Sequence, residues 1–442
     1  MLETTQENEI HEAIAKIRSE LIWSLSGTDF NNVVLGLLLY RFASEKVANY
    51  LRKNLTEEEA EREKEQCIAK LGYFMLPSEL FEHVQREASS YPKVAVELIQ
   101  VFKNIEHSAD GTRTKTNIKG LFTDVIVSIN KITENKSIIN VLQYIQNLQP
   151  NLFASHQFDI FGDAYEYLMK MQDSNSLKEA GEFYTPPEVS KLLAKISLHG
   201  NTKVEKVYDP TCGSGSLLLK FSELLGKENI TTGLYGQERN ITTYNLCRIN
   251  MFLHDISYKK FKIVHGDTLM NPKLQEEAPF DCIVANPPFS VSWAGDSDQR
   301  LTEDPRFKVV GKLAPKSKAD LAFILHSLSM LSEQGTAAIV CFPGVLYRGG
   351  AEQVIRKYLV DNNYVDAVIH LPEQLFFNTS IGTCILVLKK NKEDSNILYI
   401  DATKEYEKSG DRNKLSNMNI EKILNAIRKL SLIHISEPTR PY

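Results

Sequence analysis

The chain has 442 residues, 43% of them hydrophobic and 24% charged, with a formal net charge of −5. That length allows two or three domains with sizeable cores, and no apolar run reaches the roughly 20 residues of a membrane span. The acidic balance excludes a protein that grips DNA by bulk basic charge alone, so work on DNA would need a partner to supply phosphate contacts.

The N-terminal segment 1–20 is polar and charged, unlike a secretory signal. Residues 1–150 are predicted to form a helical domain. Ile10, Ile14, Ile17, Leu21 and Ile22 recur at helical spacing, and a second helix begins at Asp29-Phe30 and runs through Val33, Leu37, Tyr40 and Phe42. The charge-rich stretch 56–70 reads as a solvated helical face, and 117–147 as further amphipathic helix. The six cysteines are scattered, without paired metal spacing, and read as reduced core thiols of a cytoplasmic protein with no metal site.

From about Ser155 the pattern changes. Strands are predicted over 204–208, 232–237, 261–265, 281–285, 336–342, 365–371 and 383–388, with helices over 187–198, 216–225, 241–254, 319–332 and 351–362. Strands alternating with helices predict an α/β fold with a doubly wound, mostly parallel sheet. The short connection 372–382 between the last two strands predicts an antiparallel neighbour. Ligands of such sheets bind at the carboxyl ends of the strands.

Asn286-Pro287-Pro288-Phe289 follows the apolar run Asp281–Ala285. Two prolines directly after a strand stop the sheet and hold an extended turn. An amide oxygen, a free backbone carbonyl and a flat ring suit the capture of an exocyclic amino group on a planar base. Asp209-Pro210-Thr211-Cys212-Gly213-Ser214-Gly215-Ser216 follows the first strand and opens a helix. Its glycines let the backbone pass close to a ligand, and the helix N-terminus favours an anion. The spacing is not the dinucleotide pattern. Glu238, after the second strand, can accept from ribose hydroxyls, or else serve as a first-turn helix charge. Asp267, after the third strand, is placed for an adenine amino group, or else closes an Asx-turn. Pro186 and Pro187 suit a helix start.

Together these segments resemble the adenine-N6 DNA methyltransferases that use S-adenosylmethionine, and more narrowly the methylation subunit (HsdM type) of type I restriction–modification systems. The resemblance extends over nearly the whole chain. It includes Leu35–Phe42, Gly181–Pro187, Asp209–Ser216, Asn286–Phe289, Ala319–His326, Phe342–Gly350 and Leu371–Phe376. It implies a Rossmann-like class I methyltransferase fold with a seven-stranded sheet over 151–410, after the helical domain. Glu182, Phe183, Tyr184, Thr185, Pro186 and Pro187 would flank the methionine end of the cofactor. Asp209, Gly213, Ser214, Gly215 and Ser216 would form the cofactor loop, Glu238 would hold the ribose and Asp267 the cofactor adenine. Asn286 and the Pro287 carbonyl would accept the two amino hydrogens of a flipped adenine, in the catalytic turn completed by Pro288, and Phe289 would stack on the base.

Cys212 reads as a packing residue, because direct transfer needs no covalent intermediate. The basic segment 306–318 is expected to loop over the target base and touch phosphate, or else to be a solvated surface loop. The resemblance also implies a specificity subunit that reads the DNA, a restriction (nuclease) subunit, two copies of this chain per complex and no membrane association. Residues 411–429 would begin a truncated C-terminal helical region, and 430–442 look like a translated library adapter, or else a genuine disordered tail. The alternatives are methylation of a protein glutamine amide, or an assembly subunit with a spent site.

Overall fold

The computed structural model describes residues 2–51, 55–148, 167–168, 185–376, 381–410 and 412–433. Glu182, Phe183 and Tyr184 lie outside the described residues, as does the end of the expected tail, 434–442. The chain divides into two compact units. One is Met1–Leu177 with Asn245–Phe261; the other is Lys178–Tyr244 with Lys262–Tyr442.

The first unit is helical. Helix Leu2–Leu21 buries Ile10, Ile14, Ile17 and Leu21, as their spacing requires, whereas Ile22 falls past the helix end and is exposed. Helix Gly27–Leu51 is buried on nearly every face. Tyr40 packs its ring against Phe81 and Phe102. Buried Arg41 donates to the Ile145 and Leu148 carbonyls at the end of helix Asn135–Gln146, where the last carbonyls of a helix lack intrahelical partners. Helix Glu57–Leu71 starts with a Thr56–Glu59 capping box and ends on Gly72 at φ 97°. Only Ala60, Cys67 and Ile68 of it are buried, so it is the solvated face expected. The single helix expected over 117–147 is instead three: Lys115–Ile118, Thr123–Ile129 and Asn135–Gln146. Gly120 at φ 71° turns the chain between the first two. In the segment Asn245–Phe261, Arg248 is buried and donates to the carbonyls of Thr116, Asn117 and Lys119.

The second unit is built on β1 (Val204–Asp209), β2 (Ile230–Glu238), β3 (Phe261–His265), β4 (Phe280–Ala285), β5 (Leu331–Cys341), β6 (Val365–His370), β7 (Cys384–Lys389) and β8 (Leu398–Asp401). The strands lie in the order β3-β2-β1-β4-β5-β7-β6-β8. β1 pairs in parallel with β2 and β4, β4 with β5, and β6 with β8, while β7 runs antiparallel between β5 and β6. The antiparallel neighbour is as expected, but the sheet has eight strands rather than seven. β8 escapes sequence reading because it is a four-residue edge strand with no buried position. The polar hairpin of β9 (Glu407–Ser409) and β10 (Arg412–Lys414) has no apolar alternation either. Tyr208, Phe280, Ile283, Leu321 and Leu325 belong to the core against the sheet. The strand order reverses between β1 and β4, so the turns after their carboxyl ends meet at the switch point.

Candidate active site

β1 ends on Asp209, whose buried carboxyl accepts from the Thr211 N–H at 2.9 Å. Burial pushes that carboxyl up to about 8, with the Glu238 charge adding to the shift. Gly213 at φ 53° and Gly215 at φ 84° carry the chain through left-handed conformations into helix Ser216–Leu225, a path that side chains with a Cβ rarely take. Glu238 holds this loop. Its Oε2 accepts from the Gly213 N–H at 3.0 Å and its Oε1 from the Asn240 N–H at 2.7 Å. Burial raises its pKa as well. Each carboxylate oxygen has a second lone pair, so Glu238 keeps capacity for hydroxyl donors. Cys212 packs against Gly236, where an added Cβ would come within 2.8 Å of the sulfur.

After β3, Asp267 Oδ1 accepts from the N–H groups of Leu269 (2.9 Å) and Met270 (3.1 Å), the Asx-turn that was one of its two readings. Its Oδ2 lies 3.7 Å from Arg239 Nη1.

After β4 comes the Asn286–Phe289 turn. Asn286 Nδ2 donates to Thr185 Oγ1 at 3.1 Å, and its Oδ1 is buried without a hydrogen-bond partner among the described residues. Leaving a buried carbonyl unpaired costs about 1–3 kcal/mol, so such an atom marks a place for a donor. Pro287 is buried and Pro288 half-buried. The Phe289 ring lies 6.2 Å from that of Phe342 and 6.4 Å from that of Phe376. Ser290 leaves the turn at φ 52°, a strained conformation for a residue other than glycine, and Asp320 Oδ1 accepts its N–H at 3.2 Å.

One cavity of about 440 Å³ joins these turns. Thr185, Gly213, Ser216, Glu238, Asp267, Asn286 and Pro288 all line it. Asp209, Ser214, Gly215, Pro186, Pro187, Pro287 and Phe289 do not; of these, Asp209, Ser214, Gly215 and Phe289 frame the turns that do, and Pro187 opens helix Pro187–Leu198. Leu217, Leu269, Val291 and Phe323 give the cavity an apolar wall.

Sequence reasoning missed two neighbours. Trp293 lines the cavity and donates its Nε1–H to the Pro315 carbonyl at 3.1 Å. Asp320 is the residue that secures Ser290. An indole in a loop carries no sequence signal, whereas an acid in the first turn of helix Asp320–Met330 could have been read as a cap for a nearby backbone N–H.

The basic segment differs from expectation. Arg306 is 4% exposed and does not face solvent. It grips Asp304 through two nitrogens (3.0 and 2.7 Å) and donates to the Thr268 (2.9 Å) and Leu269 (2.6 Å) carbonyls. Its Nη1 also lies 3.0 Å from His326 Nδ1. Since guanidinium only donates, Nδ1 accepts, and the imidazole proton sits on Nε2, 2.9 Å from the Tyr208 hydroxyl. Burial and the Arg306 charge drop His326 to about 3, so it is neutral. Arg306 thus braces the loop bearing Asp267 instead of reaching for phosphate. Lys308 is exposed and pairs with Glu303; Lys312 and Lys316 are exposed as well.

The N-6 DNA Methylase family matches residues 156–434, and the HsdM N-terminal domain matches residues 6–145. The type I restriction enzyme MpnII methylase subunit of Mycoplasma pneumoniae is 44% identical, over 95% of this chain and 84% of its own. The MjaVIII methylase subunit of Methanocaldococcus jannaschii is 33% identical, over 89% of this chain and 69% of its own. The solved type I restriction–modification methyltransferase subunit of Streptococcus thermophilus superposes with a TM-score of 0.82 at 32% identity, over 96% of this chain and 93% of that one. The chain therefore belongs to the N-6 DNA methylase family, as a methylase subunit of the type I restriction–modification kind.

Proposed function

We propose that the chain moves a methyl group from S-adenosylmethionine to the N6 amino group of a flipped adenine in DNA, as the modification subunit of a type I complex. The observation that carries this reading is the Asn286 amide, which lines the cavity, is tied by its nitrogen to Thr185, and has a buried oxygen with no partner among the described residues.

The cavity fits the proposed methyl donor. The glycine turn opening helix Ser216–Leu225 suits its carboxylate, Glu238 its ribose hydroxyls and Asp267 its amino group, while Leu217, Leu269 and Val291 suit its heterocycle. When bound, the donor supplies an electrophilic methyl on a sulfonium. The protein's part is to prepare the nucleophile. An adenine amino group is weak because its lone pair is delocalised into the ring. Asn286 Oδ1 and the Pro287 carbonyl accept its two hydrogens, localise the lone pair and stabilise the charge that develops on nitrogen. Phe289 stacks on the base, and the rigid turn aligns it for transfer. The amino group is paired inside duplex DNA, which is why flipping is required.

The acidic chain leaves sequence reading and much of the phosphate grip to a specificity subunit, with a nuclease subunit joining for restriction, in a cytoplasmic complex holding two copies of this chain. Among the described residues no helix is long and apolar enough to cross a membrane.

Co-expression with a cognate specificity subunit, followed by mapping of N6-methyladenine in host DNA, tests the reading. One recurrent methylated adenine site that disappears when this gene is omitted is the expected result. Unmethylated DNA with a methylated protein amide would support the glutamine alternative instead.

A further inference from the structure

We propose that Thr185 is a positioning residue that sets the amide orientation of Asn286 and couples it to the contents of the adjoining cavity; this rests on the methyl-transfer reading above. An amide has two ends, and only the oxygen can accept from a target amino group. Asn286 Nδ2 donates to Thr185 Oγ1 at 3.1 Å, which leaves Oδ1 as the end without a partner among the described residues. The opposite arrangement is chemically open to the same pair. If the Thr185 hydroxyl donated to Oδ1, the amide would present its N–H groups to the base, donor against donor. What decides between the two is the hydroxyl proton of Thr185.

Having accepted from Asn286, the hydroxyl keeps its own proton for another acceptor. Thr185 is 4% exposed and lines the same cavity as Gly213, Ser216 and Asn286. An anionic ligand end in that cavity takes the proton and fixes Oγ1 as an acceptor. The working amide orientation is then favoured before the base arrives. Thr185 thus acts through Asn286, and its contribution appears in the transfer step more than in ligand affinity.

The test uses the DNA-methylating assembly with Thr185→Val, which keeps the shape without the hydroxyl, and Thr185→Ser, which keeps the hydroxyl. Single-turnover methylation, calorimetric affinity for S-adenosylmethionine and thermal midpoint are measured on the same samples. Thr185→Val is expected to slow transfer about 30-fold while affinity weakens less than about fivefold, and Thr185→Ser to recover the rate to within about threefold. A valine variant at the wild-type rate overturns the proposal. So does a loss that saturating S-adenosylmethionine restores, or a serine variant no faster than the valine one. If both variants unfold, the positioning role is likewise rejected, because the residue is then structural. A wild-type assembly that binds S-adenosylmethionine yet methylates no DNA tells against the methyl-transfer reading itself.

Discussion

Asp209 carries a buried carboxyl held at about 8, against an ordinary value of 3.8. Between those values the folded chain holds a proton that the unfolded chain has released. Stability therefore falls as pH rises through that window, and the penalty is complete above about 8. Asp209→Asn keeps the Oδ1 acceptor for Thr211 and cannot ionise. Its melting temperature relative to wild type is expected to rise by roughly 5 °C between pH 5 and pH 9, followed by thermal denaturation in both buffers. Parallel curves would mean that Asp209 is ionised, with its charge compensated in the fold. The positions of Asp209, Gly213, Gly215 and Glu238 at strand ends and in the turns that follow were legible because each belongs to a predicted strand's carboxyl end. Arg306 was not. An arginine among lysines reads as solvated, and its partners Thr268, Leu269 and His326 lie 20 to 38 positions away in the chain.

At the scale of elements, the close approach of two helices in the first unit turns on Gly36. An added Cβ there would sit 2.6 Å from Val125 Cγ1, with Cγ2 closer still. Gly36→Ala is expected to destabilise the protein by about 1–3 kcal/mol in urea melts, and Val125→Ala in the same background to recover most of the loss. An additive double variant would show that the helices adjust independently. The glycine stands in the middle of an apolar run, where sequence gives no sign of the Val125 contact, 89 residues on. Strands flanked by helices were readable from their apolar runs. β8 was not, because an edge strand needs no buried face; nor was the break at Gly120, which periodicity alone passes over.

Across the molecule, the order of strands and turns does the organising. Motifs spread from Thr185 to Phe323 converge on one cavity because the parallel sheet delivers each turn to the same edge. That convergence was legible from the alternation of strands and helices, whereas the closing wall of Trp293 depends on loop contacts such as Trp293 N–H to the Lys316 carbonyl at 2.9 Å. The acidic charge and the proposed amino-group clamp suit the proposed division of labour, with chemistry in this subunit and DNA reading in another. Methyl transfer by an Asn286→Ala variant, measured in the DNA-bound assembly beside its affinity for S-adenosylmethionine, probes the clamp most directly. Transfer is expected to fall at least about 100-fold with affinity changed less than about threefold. Transfer near the wild-type rate would remove Asn286 from catalysis and with it the adenine clamp.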